Sequence, residues 1–328
     1  MEPKAIAPAV DVIVSEVGPR EGTQSIHRTI PTEVKQRWIA ALAAAGLREI
    51  EVGSFVSARR LPQMLDAPEL VRAARRIPGL TVLALAPNAK HAARAFAAGV
   101  HTVTMPVSAS RMHSEKNIGM TPEEAIEQVR LTCTLRDELD SPPQPTVEVG
   151  ISTAFGCTME GPVSEDWVME IAVRLAKAGA DSIGLSDSTG YANPTQVKRM
   201  FKRLRQEIGA LAGAAHLHNT RGQGLANVVA ALDVGVTTFD SSQGGLGGCP
   251  YAPGATGNIV TEDLVFLLEA MGLRTGIDIG RLLEARKVLA QALPDEPLYG
   301  HVVDAGLPKG FIPATQAPGR PDTRPSSR

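Results

Sequence analysis

Cysteine is scarce in this chain, three among 328 residues, and no C-x-x-C pair occurs. A secreted disulfide framework is therefore not expected, and a reducing, cytoplasmic setting is. Aromatic residues reach only 4%, and charge of neither sign dominates, with 33 Lys and Arg against 35 Asp and Glu. Neither a base-stacking surface nor a basic footprint for nucleic acid is expected. No uninterrupted apolar run approaches about 18 residues, and the opening MEPKAIAPAVDVIV has no long apolar core behind basic residues, so neither a membrane span nor a signal peptide is read. The first strand leads into SEVGPREGTQ, not a G-x-G-x-x-G turn, which argues against a doubly wound dinucleotide fold. What is present, a chain 43% hydrophobic, suits a small-molecule enzyme with an ample core.

Eight short runs rich in β-branched and apolar residues recur along the chain: DVIVSE, REIEV, TVLALA, HTVTMPV, TVEVGIS, DSIGLS, AAHLH and TTFDS. Helical patterns fill the intervals. TEVKQRWIAALAAAG spaces Val34, Trp38 and Leu42 four apart, with Thr32 as its expected N-cap and Gly46 as its stop. TPEEAIEQVRLTCTL opens with Thr121, Pro122 and Glu124 in capping-box order. Strand and helix alternating eight times predicts a closed (βα)8 barrel of the TIM type, one domain over residues 1–310 with extra C-terminal helices from TGIDIGRLLEARKVLAQAL onward. Residues 311–328, rich in Pro, Arg and Ser, read as a disordered tail.

Barrel chemistry gathers at the carboxyl ends of the strands. The first of these ends carries Arg20, Glu21 and Gln24, and the second carries Glu51 within an otherwise apolar strand. Asp187 and Thr189 follow the sixth strand, and His216 and His218 close the seventh. In an extended strand, side chains two apart share a face, so both imidazoles project together while Leu217 turns into packing. On its own, that pair reads equally as surface histidines at a polar strand end. After the eighth strand, a glycine-rich stretch holds Cys249 and Asn258. It suits a mobile lid, and no lysine follows it as in a phosphate-binding Walker loop. The barrel makes these distant residues neighbours. Two imidazoles with oxygens from Glu21 and Asn258 would form an open, mixed N/O site suited to Mg²⁺ or Mn²⁺, with Zn²⁺ or Co²⁺ possible, able to polarise a carbonyl and stabilise an oxyanion beside Arg20.

VGPREGTQ, IEVGSFVS, KNIG, GLSDSTG, HLHNT and above all GLGGCPYAPGATGN resemble the hydroxymethylglutaryl-CoA lyase family, within the wider group of metal-dependent barrel lyases and synthases, from about Val12 to Leu293. The resemblance implies retro-Claisen cleavage of a 3-hydroxy-3-methylglutaryl thioester into acetyl-CoA and acetoacetate. It implies Glu21, His216, His218 and Asn258 as metal ligands, with Arg20, Glu51, Asp187, His216 and Cys249 as catalytic residues. Arg20 would steady the enolate, and Cys249 would be a lid thiol in proton transfer. Gln24, Asn117 and Thr189 are implied to bind the acyl-CoA substrate, and a homodimer or larger homo-oligomer is implied as the assembly. Three positions depart from the family pattern. Glu21 stands where aspartate is usual, Asn219 replaces an aspartate, and Gly150 replaces a tyrosine. These departures leave room for a related substrate, such as citramalyl-CoA or a 3-hydroxyglutaryl-CoA with a bulkier branch. They also leave room for a barrel that only binds acyl-CoA.

Overall fold

A computed structural model describes residues 10–26, 28–57, 59–140, 142–247 and 257–317. Eight parallel strands close in chain order: β1 (Ile13–Glu16), β2 (Glu49–Ser54), β3 (Thr81–Leu85), β4 (Thr102–Ser108), β5 (Thr146–Ser152), β6 (Ser182–Asp187), β7 (Ala212–Leu217) and β8 (Thr238–Ser241). Around them lie α1 (Thr32–Ala44), α2 (Ala67–Ala74), α3 (Ala89–Ala98), α4 (Arg111–Ile118), α5 (Pro122–Asp137), α6 (Glu165–Lys177), α7 (Pro194–Ile208), α8 (Gly224–Leu232) and α9 (Thr261–Ala270). The expected TIM barrel is the observed fold, and all eight expected strands form. No helix among the described residues is long and apolar enough to cross a membrane.

The strand pattern separates two faces. On β5, Val147, Val149 and Ile151 are buried, while Glu148, Gly150 and Ser152 line a central cavity, as a period of two requires. The apolar set packs against the helical ring in one continuous core. Helix ends are set locally. Thr121 and Glu124 make the expected capping box on α5, a motif that contributes about 1 kcal/mol. Gly99 ends α3 in the left-handed region at φ 93°, a conformation with little steric penalty only for glycine. Helix α1 differs from its expectation by one position. Thr32 is its first residue, and the cap position is Pro31, with no side-chain cap bond.

Past α9, two helices complete the chain as expected, α10 (Ile279–Ala292) and α11 (His301–Ala305). Arg286 of α10 pairs at 2.9 Å with Glu262 of α9, whose side chain is fully buried. The Asp263 carboxylate accepts from the His301 and Val302 amides at 3.0 and 2.8 Å and so starts α11. The tail boundary drawn at residue 310 falls too early. Buried Glu269 accepts from the Thr315 amide at 2.7 Å and its hydroxyl at 2.6 Å, and the Phe311 ring lies 5.1 Å from Phe266. A buried carboxyl needs donors, and the segment read as disordered supplies them. Residues 318–328 lie outside the described residues.

Candidate metal and active site

The chain after β1 folds into a π-helical turn, Gly18–Gly22, in which Val17 O accepts from the amides of Arg20 at 3.1 Å and Glu21 at 2.7 Å. Such turns are rare and often occur at functional sites. Gly22 is demanded by crowding, because an added Cβ would stand 2.9 Å from Leu246 Cβ. The turn delivers Arg20 and Glu21 together into the mouth of a cavity of about 1190 Å³. That volume is slightly above the usual range for a small-molecule site.

At the end of β7 the two imidazoles face one another, with Nε2 of His216 and Nε2 of His218 3.1 Å apart. Glu21 Oε1 lies 3.4 Å from each. The expected same-face geometry of the histidine pair is what the strand adopts, so the surface-histidine reading is set aside. Asn258 arrives from the opposite direction. Its backbone bridges antiparallel to His218, its Nδ2 donates to Leu246 O at 3.0 Å, and its Oδ1 is buried with no hydrogen-bond partner. A buried amide oxygen without a donor is costly, and an orphaned oxygen beside two converging imidazoles and a carboxylate fits a cation ligand. The donor set, two nitrogens and two oxygens, fits the same group.

Charges around this cluster are strongly unequal. Burial opposes the charge on His216, but the carboxylates of Glu21 and Asp240 outweigh it and raise that imidazole to about 10. Burial likewise opposes ionisation of Glu21, and His216 with Arg20 reverses the effect, holding its carboxyl well below the usual range. A field that favours a proton at this point also favours a divalent cation. Asp240 Oδ2 sits 3.0 Å from His216 Nδ1 and so orients the ring, the usual partner of a ligating histidine.

Arg20 completes the mouth. Its Nε donates to Glu51 Oε2 at 2.5 Å, and its Nη2 lies 3.4 Å from Glu21 Oε2. Burial would lower the Arg20 pKa, but the two acids hold it above its ordinary value, so it stays cationic. Glu51 also accepts from the Thr104 hydroxyl, and burial still raises its carboxyl above the usual range.

The cavity thus gathers Arg20, Glu21, Glu51, His216 and His218, with Gln24 and Asn117 farther along its wall and Asn258 against His218. Two proposed residues are not among those lining the cavity. Asp187 is 1% exposed, and its oxygens accept from the amides of Tyr191 at 2.8 Å and Ala192 at 3.2 Å. It ties down the turn after β6 and lies within electrostatic reach of both imidazoles. Thr189, 2% exposed, donates to Gly156 O at 3.0 Å and is not among the residues lining the cavity. Cys249 lies outside the described residues. Asn219, one of the family departures, accepts from the Gly224 amide at 3.0 Å and supports the start of α8. Asp240, Thr104 and Glu148 were not singled out from the sequence. Glu148 is an acid between two valines of its strand, the same signal that pointed to Glu51, whereas Asp240 stands in a mostly polar strand end.

Comparison with known proteins bears on this geometry. Residues 11–289 match the family model described as HMGL-like. The mouse protein named 3-hydroxy-3-methylglutaryl-CoA lyase, cytoplasmic, is 39% identical over 86% of this chain and 81% of its own length. The human mitochondrial hydroxymethylglutaryl-CoA lyase is 40% identical over 86% of each. The structure of an HMG-CoA lyase from Acinetobacter baumannii, in complex with coenzyme A and 3-methylmalate, superimposes with a TM-score of 0.85 at 36% identity, covering 92% of this chain and 97% of that one.

Proposed function

Because the chain belongs to the HMGL-like family and is a carbon–carbon lyase, we propose that it cleaves a 3-hydroxy-3-methylglutaryl-CoA-like thioester by a retro-Claisen reaction, releasing acetyl-CoA and acetoacetate or a related keto acid. The observation that carries this reading is the juxtaposition of a buried, permanently charged Arg20 with the Glu21, His216 and His218 cluster. Glu21, His216, His218 and Asn258 would hold a divalent cation, Mg²⁺ or Mn²⁺ in this proposal. Bound there, it would polarise substrate oxygens and lower the pKa of the C3 hydroxyl.

The chain's own groups supply the rest. Cleavage of the C2–C3 bond turns the C3 hydroxyl into a carbonyl and leaves the electron pair on the thioester enolate. Arg20 stabilises the developing enolate oxygen, a charge that water would otherwise have to solvate. The C3 hydroxyl proton must leave to an acid near the cluster, and Asp187, held by turn amides and within electrostatic reach of both imidazoles, is kept in this proposal as a catalytic acid close to that proton. Glu51, beside the cavity with a raised pKa, is assigned as its acceptor. Cys249 is assigned as the donor that protonates the released enolate, on the family resemblance. Asn117 and Gln24, with Arg60 and Lys116 on the same wall, are assigned to the CoA portion, and the complex of the Acinetobacter neighbour supports an acyl-CoA ligand.

A homodimer or larger assembly belongs to the same proposal, supported by the exposed Tyr299, Val303 and Leu307 on and beside α11. So does a cytoplasmic location, which rests on the scarcity of cysteine.

The test is incubation with Mg²⁺ or Mn²⁺ and a panel of 3-hydroxyacyl-CoA thioesters, including citramalyl-CoA, with released products identified by mass. Acetyl-CoA and a keto acid are expected from at least one glutaryl-type thioester. Tight CoA binding with every thioester left intact would establish the non-catalytic barrel in its place.

A further inference from the structure

The cavity does not stop at the ligand cluster. Deeper in a barrel of this type, toward the amino ends of the strands, layers of bulky branched side chains ordinarily fill the axis. Here the inward positions of β5, β6 and β7 include Glu148, Gly150, Ser182 and Ala214, all lining the same cavity as Arg20 and His216. The step from Gly150 to Glu148 carries that cavity roughly 7 Å deeper at the usual strand rise.

The glycines here differ in kind. Gly184 on β6 answers a backbone demand, because an added Cβ would stand 2.4 Å from Ala214 O. Gly150 answers none. Its φ is not among the positive values, and the nearest neighbour of an added Cβ is Ser186 Oγ at 3.2 Å. A side chain at 150 would project into the shaft, so its absence creates space. At the floor, Glu148 bonds Ser182 and lies within electrostatic reach of Glu49, Asp240 and Glu51. A hydrocarbon tip would exclude water and leave that carboxyl with Ser182 alone, and a carboxylate tip would meet the neighbouring acids. A neutral hydroxyl satisfies both constraints.

We infer that this shaft receives the branch at C3 of the substrate, and that the preferred thioester carries there, in place of a methyl group, a chain long enough to span the shaft and tipped by a hydroxyl. The inference rests on the lyase reading above and names its substrate class.

Three CoA thioesters test it: 3-hydroxy-3-methylglutaryl, its 3-butyl analogue and its 3-(4-hydroxybutyl) analogue. Each is assayed for kcat/KM, and the matching thioesters lacking the 3-hydroxyl, which cannot be cleaved, are titrated for Kd. The native protein should favour the hydroxybutyl compound over both others by about tenfold or more, as differences of several atoms in a fitted pocket do. Gly150→Val, checked for folding by thermal melting, should lower the hydroxybutyl-to-methyl ratio at least about tenfold. Glu148→Leu should bring butyl level with or above hydroxybutyl. A native preference for methyl, or an unchanged ratio in folded Gly150→Val, overturns the inference. If none of the three is cleaved, the lyase reading fails, and the Kd series then decides the shaft alone. Tighter binding of the hydroxybutyl compound upholds it, and equal binding overturns it.

Discussion

Glu16 on β1 and Glu51 on β2 are buried to 0% and 1% exposure, and burial lifts both carboxyls above the usual range, Glu16 to about 8. Their oxygens meet different company. Glu16 accepts from the amides of Gly18 at 2.8 Å and Gln243 at 2.9 Å and from the Thr261 hydroxyl at 2.7 Å. All of these donors are neutral and belong to the turn after β1, the loop after β8 and the start of α9. Glu51 meets a guanidinium and lines the cavity. The strand register sets Glu16 beside Ile50, one residue before Glu51, and alternate residues face opposite sides of a sheet. One step along the chain therefore separates an acid that joins β1 to α9 and the loop after β8 from one that faces the cavity.

Breaking the cavity side should give the largest effect. Arg20→Gln is expected to lower kcat/KM about a thousandfold, roughly 4 kcal/mol of transition-state stabilisation, while thermal melting stays near native. Full turnover on the best substrate would remove Arg20 from its role. The mirror experiment is Glu16→Ala, which leaves three donors without an acceptor. We expect a loss of about 3 kcal/mol in denaturant unfolding, with the folded fraction still active. Activity lost with stability intact would invert the assignment of the two acids.

A third measurement sharpens the contrast through pH. The folded pKa of Glu16, about 8, lies above its ordinary 4.5. Between these values the native state holds the proton more tightly than the unfolded chain does. Its contribution to stability is therefore fully present below pH 4.5 and is lost as pH rises toward 8. From pH 5 to 7 its share of the decline should be about 2–3 kcal/mol, and Glu16→Gln should remove that share while the part due to Glu148, also lifted to about 8, remains. The same slope in that variant would locate the titration elsewhere. The smallest expected effect is the cation's. At ten times its Kd, Mg²⁺ or Mn²⁺ should stabilise the native protein by about 1 kcal/mol, seen as a higher melting temperature that His218→Ala abolishes. An equal shift in both proteins would place the cation away from β7.

The barrel could be read from the sequence because each strand buries apolar residues against the helices, which leaves short β-rich runs between capped helices. The histidine pair was readable for a similar local reason, since spacing of two places both imidazoles on one face. Asp187 was only half readable, because a strand-end acid followed by STGYAN signals a polar turn but not that the Tyr191 and Ala192 amides hold it. Glu16 went unnoted beside Gly18 because its three donors come from residues 18, 243 and 261. Thr315 was read as tail because Glu269, the acid it satisfies, is distant in sequence.

Local order, then, was settled by the chain itself: which segments become strands or helices, where the helices stop, and which residues of a strand share a face. These depend on backbone sterics and on periods of two and 3.6 that a short window contains. Closure of the barrel decided the rest. It brought Glu21 within 3.4 Å of both imidazoles, set Asp240 behind His216, tied Asp187 into the turn after β6 and left the space beside Gly150 open. Such outcomes depend on distances between strands far apart in sequence, and those distances exist only once the sheet has closed on itself.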